Sequence, residues 1–191
     1  MKSTAKIIIV LTLITVISGA VLAVLDAYTK PRIDAYKNKI RNEAVSQVLP
    51  ENVKIETINK ADQTFYKASK NEEVVGYAFQ VSGGGYQSEL VLMVGVTADF
   101  SKIIAAKILS QVETPGLGTK IENDPSNKED PSWFVDQFKN LSVAPAITYV
   151  KNVKPSKDNE IQAITGATIS SAAVVSVLNK GIEKFKAIIQ E

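Results

Sequence analysis

The chain has 191 residues, with 22 Lys and Arg against 20 Asp and Glu, which gives a formal net charge of +2. This near balance, without a basic stripe, argues against a nucleic-acid-binding protein. Cysteine and histidine are both absent, which excludes disulfides, thiol nucleophiles and iron–sulfur ligands and disfavours a transition-metal site. We therefore predict no metal site and no catalytic side chain, in a chain long enough for one domain and a short accessory segment.

An uncharged apolar run near the N-terminus, Ile7 to Leu25, matches the length of about 20 residues that one membrane-spanning helix requires. We predict an uncleaved membrane anchor over residues 1–26, because no small-x-small cleavage site precedes Asp26. A secretory signal peptide is the alternative. More basic residues follow the run than precede it, so the charge count alone favours a cytoplasmic domain, although long domains translocate largely regardless of charge.

The pattern in residues 27–50 predicts a helical connector, because apolar side chains recur at spacings of three and four from Ile33 to Val48. Pro31 is expected to kink this segment or to start a second helix near the membrane. An amphipathic surface helix of the following domain is an equally good interpretation.

Residues 51–191 are predicted to form one domain, which opens with strands. Two runs, Thr64–Ala68 and Val74–Val81, predict a hairpin. Two more runs, Glu89–Val96 and Lys102–Leu109, follow across a short polar turn. Four consecutive strands with short connections predict an antiparallel meander.

The rest of the domain is predicted to add helices and one further strand. The glycine-rich segment Ser82–Ser88 lacks the ending of a phosphate loop, so we expect its glycines to allow a flexible or tightly turned connection beside a ligand. Trp133–Phe138 predicts a short helix and Ile147–Val153 a strand. From Ile169 onward, apolar residues mark one face of a long amphipathic helix that closes the domain against the sheet. The fold class is therefore α+β.

This last helix begins at a stretch of small and hydroxyl-bearing residues, Thr165-Gly166-Ala167-Thr168-Ile169-Ser170-Ser171. The start of a helix presents unpaired N–H groups and the positive end of its dipole, which suit an anion such as phosphate. Gly166 and Ala167 allow close approach. The hydroxyl groups either cap the helix or bind a ligand, and an ordinary helix cap is the alternative interpretation.

A second stretch, Glu113 to Lys120, directly follows the fourth predicted strand. Pro115 biases Thr114 to extended geometry, and Gly116 and Gly118 allow turns beside Leu117. Such a loop can present backbone N–H groups and one apolar side chain to a flat ring. A turn shaped only for packing is the alternative.

These two motifs, in this order behind one N-terminal span, resemble the FMN-binding domain family. The match is to the G subunits of Rnf electron-transport complexes and the related C subunits of sodium-pumping quinone reductases. The resemblance implies that the hydroxyl of Thr168, directly after Gly-Ala, carries FMN through a covalent phosphoester bond. The cofactor-binding residues that it implies are Thr165, Gly166, Ala167, Thr168, Ser170, Glu113, Thr114, Gly116 and Leu117. Two positions depart from the family pattern, because Gln111 and Gln162 stand where members often have His and Asp.

The same resemblance implies a membrane-anchored electron carrier, one subunit of a ferredoxin:NAD⁺ oxidoreductase coupled to sodium or proton translocation. Its implied partners are the other membrane subunits, the lipid bilayer and a flavin transferase that uses FAD and a divalent metal. The N-terminus is expected in the cytoplasm and the flavin domain outside it. Two alternatives remain: the corresponding subunit of a sodium-pumping quinone reductase, and a non-redox extracytoplasmic binding module.

Overall fold

The computed structural model describes residues 2–60 and 63–190. The chain divides into two compact units, one up to Ile40 and one from Arg41 onward. Helix α1 runs from Lys2 to Val48 with Pro31 inside it. The expected second helix therefore does not begin at Pro31, because a proline removes one helical hydrogen bond while those of the neighbouring turns keep the helix continuous.

The first unit consists of α1 up to Ile40, and its apolar side chains from Ile7 to Leu25 are exposed. Among the described residues, one helix is long and apolar enough to cross a bilayer, and its most apolar 18-residue window has a mean hydropathy of 2.9. This is the segment that the sequence predicts as the membrane anchor.

The second unit is built on a five-stranded antiparallel sheet with the strands in sequence order. The strands are β1 (Lys54–Lys60), β2 (Gln63–Lys70), β3 (Glu73–Gly84), β4 (Glu89–Thr97) and β5 (Ile103–Ser110). The predicted α+β fold and the meander from β2 to β5 are confirmed. The sequence pattern does not predict β1, because the side chains of this strand are almost all exposed and carry no clear two-residue periodicity.

One face of the sheet packs against the C-terminal helix α3, Thr168–Gln190. The predicted apolar face of α3 is buried, and Leu178 and Phe185 are almost completely inaccessible to solvent. Phe185 stacks on Phe79 of β3 with the ring centroids 3.8 Å apart. This core fixes the position of α3 and, with it, the position of the residues at its start.

The opposite face of the sheet packs against the end of α1, where Ala44, Val45 and Val48 are buried. The sheet residues that meet them are Ala68, Ala78, Met93 and Ala105. A Cβ atom added at Gly95 of β4 would lie 1.8 Å from the carbonyl oxygen of Val48. The helix approaches this face closely because the facing residues are small.

The remaining elements lead the chain from β5 to α3. They are a 3₁₀ turn (Gly118–Ile121), helix α2 (Trp133–Asp136) and strands β6 (Thr148–Val150) and β7 (Glu160–Gln162). Strands β6 and β7 form a separate two-stranded parallel sheet. Five residues separate β7 from α3, and these residues contain the first part of the Thr165–Ser171 motif.

Candidate functional site

A tight turn at Gly166 carries the chain from β7 into α3. Gly166 has a φ of +83°, which favours glycine over residues with a side chain. The Ser171 hydroxyl holds this turn from inside, because it accepts a hydrogen bond from the Ile164 N–H and donates one to the Ala167 carbonyl, both at 3.0 Å. Local hydrogen bonds thus place Thr168 as the first residue of the helix.

The other hydroxyl groups of the motif do not cap α3. Thr165 donates to Asn152 Oδ1 at 3.1 Å, and Ser170 donates to Glu113. Thr168 is partly buried, and within the described residues its hydroxyl has no hydrogen-bond partner. In the same part of the chain, no side chain bonds the N–H groups of residues 168 to 170. The positive end of α3 is therefore available to an anion, which disfavours a role for this motif in capping alone.

The loop after β5 lies against this helix start. Gly116 has a φ of +73° and donates its N–H to Thr119 Oγ1 at 3.1 Å. The Leu117 N–H donates to the Thr114 carbonyl at 3.2 Å. Leu117 Cδ2 lies 3.4 Å from the position that a Cβ atom on Gly166 would take. Leu117 and Gly166 thus bring together two motifs that are far apart in the sequence.

Glu113, at the beginning of the loop, is a buried carboxylate with a relative exposure of 2%. Its Oε2 accepts a hydrogen bond from Ser170 Oγ at 2.5 Å, and its Oε1 accepts from the N–H groups of Tyr86 and Gln87 at 2.9 and 3.1 Å. Burial raises the pKa of Glu113, but the hydrogen bonds from Ser170 and from the backbone of residues 86 to 88 outweigh it and hold the pKa below its usual value. Glu113 and Ser170 therefore lie inside the domain, behind the open surface.

Two glycines make room for this carboxylate. A Cβ atom at Gly118 would lie 2.7 Å from Glu113 Cβ and 2.8 Å from Ser170 Oγ, and one at Gly85 would lie 2.5 Å from Glu113 Oε1. The segment between β3 and β4 is thus a tight turn, closed by the hydrogen bond from Gly85 N–H to the Ser88 carbonyl at 2.7 Å. The contacts of Tyr86 and Gln87 with Glu113 were not predicted from the sequence, although the glycines are a signal of close backbone approach.

The two positions that depart from the family pattern make backbone contacts. Gln111 accepts a hydrogen bond from the Glu113 N–H at 2.8 Å and donates to Glu122 Oε2 at 3.0 Å. The Gln162 N–H donates to Gln137 Oε1 at 2.7 Å, and its carbonyl accepts from Gln137 Nε2 at 3.1 Å. Gln111 therefore supports the loop at Glu113, and Gln162 holds the end of β7.

An aromatic side chain such as that of Trp133 is able to stack on a flavin but more often belongs to a core, and in the structure Trp133 packs against the main core. Its indole N–H donates to Asp124 Oδ2 at 3.2 Å. These contacts favour a role for Trp133 in the core over a role in stacking on a flavin.

Four exposed apolar side chains belong to residues that adjoin the buried carboxylate or its contacts. They are Tyr86, Val112, Leu117 and Ile169. Tyr86 donates its backbone N–H to Glu113. Val112, Leu117 and Ile169 directly precede Glu113, Gly118 and Ser170 in the sequence, and the last two of these lie against the Glu113 side chain. An uncapped helix start beside exposed apolar side chains has the chemistry to hold a ligand with a phosphate and a flat ring. The residues present therefore fit FMN.

Comparison with known proteins agrees with this chemistry. Residues 85–183 match the FMN-binding domain family. The G subunit of the proton-translocating ferredoxin:NAD(+) oxidoreductase complex from Clostridium ljungdahlii is 32% identical over 174 residues, which cover 91% of this chain and 87% of that protein. The G subunit of the Na(+)-translocating complex from Acetobacterium woodii is 29% identical, and the match covers 97% of this chain and 93% of that protein.

Among solved structures, the crystal structure of NqrC from Shewanella oneidensis has the same fold, with a TM-score of 0.53 and 21% sequence identity. The similarity covers 71% of this chain and 65%, just under two thirds, of that chain. The chain belongs to the FMN-binding domain family, together with the G subunits of ion-translocating oxidoreductase complexes.

Proposed function

We propose that this protein is the membrane-anchored flavoprotein subunit of an ion-translocating ferredoxin:NAD⁺ oxidoreductase and relays electrons between other subunits of that complex. One observation carries the proposal: the loop after β5 meets the uncapped start of α3 at Leu117 and Gly166, within a chain related over most of its length to the G subunits of such complexes. The complexes of the two relatives named above translocate protons and sodium, so the coupling ion is either of these.

The attachment point in this proposal is Thr168, which follows Gly166-Ala167 and whose hydroxyl is not engaged by the described residues. The Thr168 oxygen forms a bond to the flavin-side phosphorus of FAD, the pyrophosphate bond breaks, and AMP leaves. The hydroxyl proton passes to a base on a separate flavin transferase, which is the partner that the family resemblance implies for this step. The first-turn N–H groups of α3 would hold the phosphate of the attached FMN.

Bound FMN supplies transfer of one or two electrons, while the protein supplies binding and orientation. Leu117 and Ile169 offer apolar surface beside the attachment point. Glu113 and Ser170 support this surface from inside through their hydrogen bond. Covalent attachment prevents loss of the cofactor on the extracytoplasmic side, where free FMN is not readily replenished.

Intact-mass measurement tests this proposal directly. The chain expressed with an active flavin transferase should gain the mass of one FMN phosphoester, and the chain expressed without the transferase should not. A chain that remains unmodified beside an active transferase would contradict the flavoprotein function. The subunits that purify with the protein distinguish this function from that of a sodium-pumping quinone reductase subunit.

We further propose that α1 remains in the mature protein, with the N-terminus in the cytoplasm and the flavin domain outside. The apolar residues from Ile7 to Leu25 anchor the protein in the membrane. Protease added to sealed, right-side-out cells should digest the domain and leave a cytoplasmic marker protein intact. A protected domain, or a mature N-terminus beyond Leu25, would contradict this orientation or this anchor.

Leu117→Asp is expected to shift the flavin potential to a more negative value without preventing attachment. A carboxylate beside the ring disfavours the added negative charge of reduction, and Leu117 does not supply the acceptor oxygen. Redox titration measures the potential, and intact mass measures attachment. Ile55→Asp is the matched control, because it places the same charge at another exposed apolar position, on β1. An unchanged potential in Leu117→Asp would show that the loop has only a structural role.

A further inference from the structure

We propose that Glu113 is a positioning residue for the flavin site, which through its hydrogen bond to Ser170 holds the loop carrying Leu117 against the helix turn carrying Thr168. This inference rests on the function proposed above and adds a role for a buried group that does not touch the open surface. In this role Glu113, the acidic residue of the Glu113–Lys120 loop, aligns Leu117 with Thr168.

The carboxylate of Glu113 connects three segments that are distant in sequence. Oε2 bonds α3 at Ser170, which is 57 residues away, and Oε1 bonds the turn between β3 and β4 at Tyr86, which is 27 residues away. The residue itself begins the loop after β5. One side chain thus adds a hydrogen-bonded connection between helix α3 and two irregular segments, and irregular segments otherwise vary in position.

The surrounding residues leave this carboxylate little freedom to move. Gly85 and Gly118 pack so closely on it that a Cβ atom at either position would collide with Glu113. The Gln111 side chain also accepts a hydrogen bond from the backbone N–H of Glu113. A buried hydrogen bond between a carboxylate and a hydroxyl is directional and strong, because one partner is charged. Small displacements of Glu113 are therefore passed to the loop and to α3.

Both flavin-facing groups are close in sequence to the Glu113–Ser170 pair. Thr168 lies two residues before Ser170 on the first turn of α3, and Leu117 lies four residues after Glu113 in the loop. The 2.5 Å contact between Ser170 Oγ and Glu113 Oε2 thereby limits how far Leu117 can move from the acceptor oxygen. A group that must react or bind in a defined orientation loses rate steeply when it is displaced.

The charge of Glu113 adds a second, separable effect. Within the described residues no Lys or Arg forms an ion pair with this carboxylate. Its negative charge is therefore compensated only by hydrogen-bond donors and by the positive start of α3. A fixed negative charge behind the flavin makes reduction harder, so removing the charge should move the flavin potential to a more positive value.

Glu113→Gln tests both effects with little change in shape. The carbonyl oxygen of the introduced amide still accepts from Tyr86 and Gln87, but its nitrogen cannot accept the Ser170 proton and donates to the Ser170 oxygen instead. The charge-assisted hydrogen bond thus becomes a weaker, neutral one of reversed direction. We expect flavin attachment at least about tenfold slower, as for a misaligned reacting group, and a more positive potential. Ser170→Ala removes this hydrogen bond altogether and keeps the charge. It should slow attachment at least as much as Glu113→Gln does, without the positive shift in potential.

The double variant shows whether the two residues act together. If they act through one hydrogen bond, Glu113→Gln combined with Ser170→Ala should attach flavin about as slowly as Ser170→Ala alone. Asp99→Asn is the matched control, because Asp99 also accepts hydroxyl and backbone hydrogen bonds but lies in the turn at the other end of β5. This control should attach flavin at the wild-type rate with the wild-type potential.

Hydrogen exchange on the flavin-free protein gives a readout that does not depend on attachment. The N–H groups of Leu117 and Thr119, which both bond the Thr114 carbonyl, should exchange at least about tenfold faster in Glu113→Gln, because local opening becomes easier. Unchanged exchange, or attachment at the wild-type rate in Glu113→Gln and Ser170→Ala, would overturn the proposal. A wild-type chain that never receives flavin would instead contradict the proposed function, and hydrogen exchange would still test the positioning role.

Discussion

Thr168→Ala is expected to abolish covalent FMN completely when the protein is expressed with an active flavin transferase. The substitution removes the one oxygen that the proposed phosphoester requires. It should leave the fold intact, because the Thr168 hydroxyl has no partner among the described residues and because alanine favours helix more than threonine does. Intact mass should show no FMN adduct, and electron transfer through the assembled complex should be lost.

Neighbouring hydroxyl groups should not rescue the attachment. Ser170 Oγ is engaged with Glu113, and Ser171 Oγ is buried between Ile164 and Ala167. Thr165→Ala is the matched control. It removes an exposed hydroxyl group of the same motif, but Thr165 precedes Gly166-Ala167 instead of following it. This control should keep the FMN adduct. Covalent flavin in Thr168→Ala would move the attachment site to another residue.

Gly95→Ala is expected to destabilise the domain by at least about 3 kcal/mol, the upper part of the usual range for overpacking. The added Cβ atom would lie 1.8 Å from the Val48 carbonyl oxygen, which is a backbone atom and cannot move as a side chain does. The end of α1 must then shift away from the sheet and expose Val48. A loss of this size is a large part of the stability of about 5–15 kcal/mol typical of a domain.

Chemical denaturation of the full chain in detergent measures this effect through the fluorescence of Trp133, the only tryptophan of the sequence. Gly84→Ala is the matched control, because Gly84 is also a strand residue of the same sheet and nothing lies within 4 Å of a Cβ atom at that position. Its unfolding midpoint should stay close to that of the wild type. Equal midpoints for Gly95→Ala and the wild type would show that α1 does not depend on this close approach.

The sequence alone predicts those features that depend on neighbours in the chain. The alternation of apolar residues predicts the strands from β2 to β5, and the three- and four-residue spacing after Ile169 predicts the buried face of α3. The Thr165–Ser171 motif is readable as a helix start because its small and hydroxyl residues directly precede that periodic run. The apolar length from Ile7 to Leu25 likewise predicts a helix that is able to span a bilayer.

Tertiary structure alone decides which of these local features meet. The contact of Leu117 with Gly166, the hydrogen bond of Glu113 with Ser170 and the approach of Val48 to Gly95 all join residues that are far apart in the chain. Their positions are set by the packing of α3 on one face of the sheet and of α1 on the other. The spacing of residues within one segment does not determine the distance between two segments that are far apart in the chain. Glu113, which the family resemblance offers as a cofactor-binding residue, is buried and bonded to Ser170 because the sheet and α3 are packed together.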